Sequence, residues 1–258
     1  MIGDANILEV KGLTKTFTRT TSQGKKEAFY ALNNLSFDLK KGQSLGIIGK
    51  NGSGKSTLLN ILSNIIRPSD GEVLVRGKVL SILDIGTGMH PDLSGRENVF
   101  LRGELLGMSK QDIEKVYSDI VEFSEIGDFI DTPVKHYSSG MFLRLAFAII
   151  VHLKADILLL DEVLSVGDLG FREKVKHALN AMSSETTLII VSHEIHTIRE
   201  FVDSILYLKS DKERSYVFSP KIDFPFDKFA ADLSTIQSEE VKISVSYTHL
   251  RAHETTVY

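Results

Sequence analysis

Cysteine is absent from this sequence of 258 residues, which excludes disulfide bonds and thiolate chemistry and suits a reducing cytosol. An excess of basic charge is also missing, because 30 Lys and Arg residues stand against 34 Asp and Glu residues, for a formal net charge of −4. A protein that binds nucleic acid by neutralising phosphates shows a basic bias or a basic stripe. We therefore expect no nucleic-acid partner.

Long apolar runs are lacking as well. The most apolar stretch, LRLAFAIIVHL at 143–153, contains Arg144 and His152 and is too short to cross a bilayer. The first ten residues, MIGDANILEV, do not place a basic segment before an apolar one, as a secretory signal does. We therefore expect the chain to stay in the cytoplasm without direct membrane insertion, and to reach a membrane only through a partner.

The composition that remains is that of a soluble globular protein, with 42% hydrophobic and 25% charged residues. Residues 7–49 are patterned like β-strands, with a polar, Gly-containing hairpin loop predicted at 18–26. Residues 91–153 carry apolar residues at helical spacing, which predicts a helical subdomain inserted between β-rich parts. Buried strands then alternate with helices, and the last strand is predicted before residue 210. This order predicts an α/β fold with a largely parallel core and a ligand at the carboxyl ends of the strands.

The C-terminal end does not match the rest. Residues 245–258, VSYTHLRAHETTVY, fit neither the periodicity nor the composition before them, and they resemble a translated sequencing-adaptor remnant. We expect a folded domain over 1–235, a tail of doubtful origin over 236–258, and a natural C-terminus that is missing. A natural disordered tail is the alternative. We assign no metal role to His249 or His253.

One glycine-rich stretch, GKNGSGKSTLL at 49–59, gives up side-chain packing in favour of bare backbone. It follows a predicted strand, opens a predicted helix and satisfies G-x-x-x-x-G-K-[ST]. Backbone N–H groups can surround a phosphate only where side chains do not obstruct them, and the helix N-terminus adds its dipole. Lys55 then reaches the β- and γ-phosphates, and the Ser56 hydroxyl ligates Mg²⁺. The pattern predicts that ATP and Mg²⁺ are bound by Gly49, Asn51, Gly52, Ser53, Gly54, Lys55, Ser56 and Thr57.

Three further polar residues follow predicted buried strands. Asp161 and Glu162 end the strand DILLLDE, where carboxylates are costly unless they serve a cation or a proton transfer. Asp161 fits a Mg²⁺ partner acting through water, and Glu162 fits the general base that polarises the attacking water, whereas the alternative is that both merely cap the strand. His193 ends another apolar strand at the same edge of the sheet, which favours contact with the γ-phosphate over the structural role of most lone histidines.

The segment YSSGM at 137–141 precedes an apolar helix and, taken alone, is compatible with a plain N-cap. Taken together, the ordered motifs GKNGSGKST, YSSGM, ILLLDE, SVGD and SH within residues 5–210 closely resemble the ATP-binding subunit of ABC transporters. There they correspond to Walker A, the signature, Walker B, the D-loop and the switch histidine. The stretches DIGTGMHPDLSGRENVFLRGELLGM, DTPVKHYSSGM and DEVLSVGDLGF are similar to the subgroup that exports cell-surface polysaccharides.

The resemblance implies contacts to the γ-phosphate from Ser138 and Gly140. Tyr137, Ser139 and Met141 depart from the usual signature LSGGQ, which leaves a ribose contact at Met141 unassigned. Of the five signature positions, only Ser138 and Gly140 are therefore expected to keep the contact to the γ-phosphate.

Two other positions follow from the resemblance. The Q-loop glutamine is absent, and Asp84 in SILDIG is the nearest polar replacement, with contact to Mg²⁺ or water. Phe17 holds the place of the adenine-stacking aromatic residue, with Phe29 or Tyr30 as alternatives and core packing as the other explanation of all three.

The resemblance also implies the architecture and the partners. The fold class is an α/β P-loop NTPase of the ABC ATPase type, with a mixed sheet core, an antiparallel β subdomain and an inserted helical subdomain at about 91–153. Two copies pair head to tail with ATP between the P-loop of one and Ser138–Gly140 of the other, and hydrolysis reopens the pair. The 84–95 loop, in which Gly86 and Gly88 permit movement, passes the motion to a polytopic membrane permease.

We therefore expect an ATPase at the cytoplasmic face of the cell membrane that drives export of a cell-surface polysaccharide or polyol-phosphate of the O-antigen or teichoic-acid type. The ATPase of a different ABC transporter is one alternative. A soluble ABC protein is another, although the chain has one cassette and neither a coiled-coil nor a zinc insertion. The residues do not identify the glycan, and 211–244 suggest only a short regulatory or packing extension.

Overall fold

The computed structural model describes residues 6–20, 24–82, 88–152, 155–161, 168–183, 185–191, 198, 201–209 and 216–224. These residues form two β-sheets with helices packed against them. Within this part of the chain, no helix is long and apolar enough to cross a membrane.

The first sheet is antiparallel and consists of β1 (Asn6–Thr20), β2 (Lys26–Lys40) and β4 (Asp70–Val75), in the order β2–β1–β4. The β-type patterning near the N-terminus is thus confirmed. The hairpin loop predicted at 18–26 is wrong in extent, because Thr18 already pairs with Ala28 across the two strands. Side chains explain the extension, since β-branched threonines favour strands and Arg19 forms a cross-strand ion pair with Glu27 at 3.1 Å.

The second sheet contains β3 (Leu45–Ile48), β5 (Val79–Ile82), β6 (Ile157–Asp161), β7 (Thr187–Val191), β8 (Ser204–Leu208) and β9 (Tyr216–Pro220). Their order is β5–β6–β7–β3–β8–β9, and neighbours are parallel except for the antiparallel pair β8–β9. The central strands are continuous apolar runs and are buried, as strands covered on both faces are. The largely parallel core predicted from the sequence is confirmed.

Strand β9 contradicts the prediction that the last strand precedes residue 210. Its aromatic residues join the two sheets, because the Tyr216 hydroxyl accepts the Ser36 N–H at 3.1 Å and the rings of Phe218 and Phe37 lie 5.7 Å apart. Residues 216–220 therefore form a strand of the second sheet and pack against the first.

The described α-helices are α1 (Lys55–Leu62), α2 (Gly95–Leu105), α3 (Lys110–Ser124), α4 (Ser139–Val151) and α5 (Leu169–Met182). Helix α1 is shorter than the predicted helix over 55–66, since Asn64 adopts a left-handed φ of 57° that a helix cannot continue through. Helices α2, α3 and α4 share an apolar cluster distinct from those beneath the sheets, formed by Val99, Ile113, Ile120, Ile126, Ile130, Val134, Leu145, Ala148 and Ile149.

Candidate nucleotide-binding site

The glycine-rich loop connects β3 to α1 and adopts a backbone that needs glycine. Gly52 and Gly54 have φ values of 74° and 103°, in the left-handed region. A Cβ on Gly54 would lie 2.5 Å from the Ala31 carbonyl oxygen, whereas one on Gly52 would meet no described atom within 4 Å. The backbone at Gly52 therefore stays open to a ligand, and Gly54 lets the start of α1 pack against β2.

Lys55 begins α1 and is buried beneath this loop. Its ammonium group donates to the carbonyl oxygens of Gly49 at 2.7 Å and of Lys50 at 3.2 Å. Ser53 is also buried, and its Oγ has no hydrogen-bond partner among the described residues. A buried cation and an unpaired hydroxyl, beneath a loop in which Asn51 and Gly52 are exposed, fit an anionic ligand.

A cavity of about 320 Å³ lies beside the loop. Its described lining is Phe17, Phe29, Ala31, Asn51, Gly52, Gly54, Lys55, Ser56 and Thr57. The structure thus brings Phe17 and six of the eight predicted phosphate-binding residues into one pocket, whereas Gly49 and Ser53 are not among its described lining. Phe29 also lines it, its ring 6.1 Å from that of Phe17 across the hairpin, whereas Tyr30 is absent from the described lining.

Asp161 is placed at the same edge by the parallel sheet. It ends β6 opposite Val191 of β7, and Val191 lies opposite Ile47 of β3, two residues before Gly49. The carboxylate and the Ser56 hydroxyl at the start of α1 are the hard oxygen donors that Mg²⁺ prefers. The described residues hold no cluster of three or more His, Cys, Asp or Glu.

Three predicted site residues, Glu162, His193 and Asp84, lie outside the described residues. Glu162 directly follows Asp161, and His193 comes two residues after the end of β7. Their predicted roles as general base, γ-phosphate contact and Mg²⁺ or water contact stay predictions.

The signature residues form the N-terminus of α4. The Ser138 side chain accepts the Met141 N–H at 3.2 Å and caps α4, and Gly140 lies in the first turn. No residue of 137–141 occurs in the described lining of the cavity. Ser138 and Gly140 are therefore not among the described residues that line the cavity beside the phosphate loop of their own chain.

Tyr137, which departs from the usual signature, is anchored by a hydrogen bond and by burial. Its hydroxyl donates to the Phe129 carbonyl oxygen at 2.7 Å, and burial raises the pKa of this phenol to about 12. No signal in the sequence distinguishes the Tyr137 contact from ordinary packing.

Of the D-loop, the structure describes only the last residue, Asp168. Its carboxylate accepts the Phe171 N–H at 3.0 Å and caps α5.

A family model described as ABC transporter matches residues 32–165, slightly more than half of the chain. The chain belongs to the ABC transporter family. The match includes the phosphate loop, the signature segment and the end of β6. The mixed sheet, the antiparallel sheet and the helices are consistent with the ABC ATPase cassette predicted from the sequence.

Relatives of this ABC cassette include export proteins. It is 43% identical over 174 residues to the O-antigen export system ATP-binding protein RfbB of Myxococcus xanthus, covering 67% of this chain and 40% of that protein. It is 39% identical over 231 residues to the teichoic acids export ATP-binding protein TagH of Lactococcus lactis subsp. lactis strain IL1403, covering 89% and 49%. The cassette thus spans half or less of the length of these two relatives.

A solved structure supports the same fold. The dimeric post-hydrolysis state of the ATP-binding cassette MJ0796, bound to ADP and Pi, matches this ABC cassette with a TM-score of 0.68 and 25% identity. The match covers 84% of this chain and 100% of that one.

Proposed function

We propose that this chain is the ATP-binding and ATP-hydrolysing subunit of a membrane ABC exporter. The observation that carries the proposal is the pocket in which Phe17 and Phe29 meet an open-backbone phosphate loop around a buried lysine. We also propose one ATP-binding domain over 1–235, with a helical subdomain at about 91–153 and a tail of doubtful origin after 235.

The loop amides and Lys55 are assigned to the phosphates. In this proposal Lys55 exchanges its bonds to the Gly49 and Lys50 carbonyls for bonds to the β- and γ-phosphates, and the base stacks on Phe17. Ser56 and Asp161 are the residues that would hold Mg²⁺, which neutralises charge on the phosphates when bound. Glu162 would polarise the attacking water, and His193 would contact the γ-phosphate.

The second half of the site is proposed to come from a second copy. Ser138 and Gly140 do not belong to the described lining of the cavity of their own chain, and the N-terminus of α4 is suited to contact an anion. The MJ0796 cassette is described as dimeric with ADP and Pi, which supports this arrangement. ATP would draw two copies together, and hydrolysis would release them.

We further propose that the exported substrate is a cell-surface polysaccharide or polyol-phosphate. The support is the names of the relatives, O-antigen export and teichoic acids export ATP-binding proteins. The cassette would sit at the cytoplasmic face of the membrane by binding a polytopic permease. The genes next to this one test the proposed substrate class. A polytopic membrane protein encoded beside glycosyltransferases would support polysaccharide or polyol-phosphate export, and the binding protein of an importer would contradict it.

Two substitutions test the ATPase. Lys55→Ala should weaken ATP binding at least about tenfold, because the loop loses its cation. Glu162→Gln should keep ATP binding, trap the closed dimer and lower turnover by about a hundredfold or more. Lys110→Ala, at the exposed start of α3, is the control and should change neither quantity. Normal ATP affinity of Lys55→Ala, or unchanged turnover of Glu162→Gln, would contradict the assigned roles.

A further inference from the structure

The loop before α2 is organised around one buried side chain. Asn98 is completely buried, and its Oδ1 accepts the His90 N–H at 2.7 Å. Its Nδ2 donates to the carbonyl oxygens of His90 at 3.1 Å, Leu93 at 3.0 Å and Ser94 at 2.9 Å. A buried amide whose oxygen and nitrogen are both hydrogen-bonded to backbone groups holds the surrounding backbone in one conformation. Residues 90–94 are therefore fixed to α2.

The same loop is bonded to the segment that leads into the signature. The Val134 N–H donates to the Leu93 carbonyl at 3.0 Å, and the Lys135 N–H donates to the Pro91 carbonyl at 3.0 Å. These bonds lay 132–135 alongside 91–95, directly before Tyr137.

Tyr137 completes the connection through its side chain. Its hydroxyl donates to the Phe129 carbonyl at 2.7 Å, and a Cβ added at Gly95 would overlap its phenol oxygen. Gly95 does not have a positive φ. Glycine is therefore needed at the start of α2 because a side chain would not fit there, and not because of the backbone conformation. With its pKa raised to about 12, the phenol stays a protonated donor throughout the physiological range.

We propose that Asn98 and Tyr137 are positioning residues that join the 90–95 loop and the 137–140 turn into one rigid block. The proposal rests on the proposed function in two respects, namely that Ser138 faces a nucleotide held by a second copy and that a permease contacts the loop. A displacement of the loop, imposed by a permease, would then move Ser138 by a similar amount. Residues 90–95 would move together, without a change in the conformation of the loop itself.

Amide hydrogen exchange on the nucleotide-free full chain tests the block directly. Tyr137→Phe should accelerate exchange in peptides covering both 91–95 and 138–142, by roughly three- to tenfold, the effect of losing one hydrogen bond. The control is Tyr117→Phe in the same helical region, because the Tyr117 hydroxyl is buried but has no partner among the described residues. Tyr117→Phe should leave the exchange rates of both peptides unchanged. The exchange rate of a peptide covering 45–48 serves to correct for changes in global stability. Acceleration confined to 138–142, or equal acceleration in the control, overturns the proposal.

A second variant tests the contact from the other side. Gly95→Ala places a methyl group against the phenol, so it should disturb the same two peptides, and adding Tyr137→Phe should reverse part of that effect by removing the oxygen. Additive effects of the two changes would contradict direct contact.

ATP-driven dimer formation then separates this inference from the proposed function. If the parent chain dimerises with ATP, Tyr137→Phe should need roughly three- to tenfold more ATP for half-maximal dimer, with unchanged nucleotide binding by the monomer. Unchanged dimerisation would overturn the positioning role. If the parent chain never dimerises, the proposed function fails, and the exchange measurement still decides whether the block exists.

Discussion

The guanidinium of Arg144 lies 2.7 Å from the carboxylate of Asp168, so that α4, which begins within YSSGM, is tied to the last residue of SVGD. Arg144 also pairs with Glu125 at the end of α3, and Glu125 in turn pairs with Lys174 of α5 at 2.8 Å. The Arg144 guanidinium also lies 4.9 Å from the centroid of the Phe171 ring. Three helices are therefore joined through one cation.

Replacing that cation should loosen the attachment of α4. We expect Arg144→Gln to lower the midpoint of thermal unfolding by about 3–5 °C, because two ion pairs and a cation–π contact are lost together. Arg96→Gln is a matched control, since Arg96 also has one carboxylate at 2.7 Å and one ring at 5.0 Å, but its side chain is 49% exposed against 24% for Arg144. Its effect should be about 1–2 °C. Equal shifts in a thermal scan would show that Arg144 has no special role.

The Asp168 carboxylate also predicts a dependence of stability on pH. The Phe171 N–H and then Arg144 hold the pKa of Asp168 below its ordinary value of 3.8. A carboxyl group with a lowered pKa in the folded state stabilises the fold at pH values above its ordinary pKa, and this contribution is lost as the pH falls through the folded-state pKa.

Asp168→Asn isolates this contribution, because asparagine retains a capping oxygen without the charge. Urea unfolding should show the variant less stable than the parent at pH values above the ordinary pKa of 3.8, and the difference should shrink progressively as the pH falls below that value. A difference that does not shrink with falling pH would mean that the charge of Asp168 does not stabilise the fold.

Two glycines of the phosphate loop should respond differently to alanine. Gly52→Ala places a methyl group in open space and costs only the left-handed backbone strain, about 1–2 kcal/mol in the free energy of unfolding. Gly54→Ala carries the same strain and in addition drives its Cβ against the Ala31 carbonyl and Leu32, so we expect about 3 kcal/mol or more. Urea unfolding of the two variants measures the difference. A similar cost for both would contradict the close packing of α1 against β2.

The phosphate loop and the central strands could be predicted because each depends on local sequence. The spacing of Gly49, Gly54 and Lys55 fixes a loop whose backbone is the functional part, and buried parallel strands need continuous apolar runs. Phe17 could be placed at the site, but Phe29 could be ranked only after the hairpin register paired it with Phe17.

Other features depend on contacts between distant residues and left no local signal. Tyr137 is read in the sequence as a departure from a motif, and its contacts with Phe129 and Gly95 become visible only when α2 and α4 are packed together. Strand β9 lies at the edge of the sheet and is partly exposed on both faces, so its sequence shows no clear alternation.

The contribution of β9 to the fold can be measured at Phe218. Its ring lies 5.7 Å from that of Phe37, which is 5% exposed, and it packs on the core beneath the antiparallel sheet. Because truncation removes this buried contact, Phe218→Ala should lower the free energy of unfolding by about 2–3 kcal/mol in urea. Ile222→Ala, four residues later at a side chain that is 91% exposed, is the control and should change it by less than about 0.5 kcal/mol. If both variants were as stable as the parent chain, β9 would be an appendage on the sheet and the boundary of the cassette would lie before residue 216.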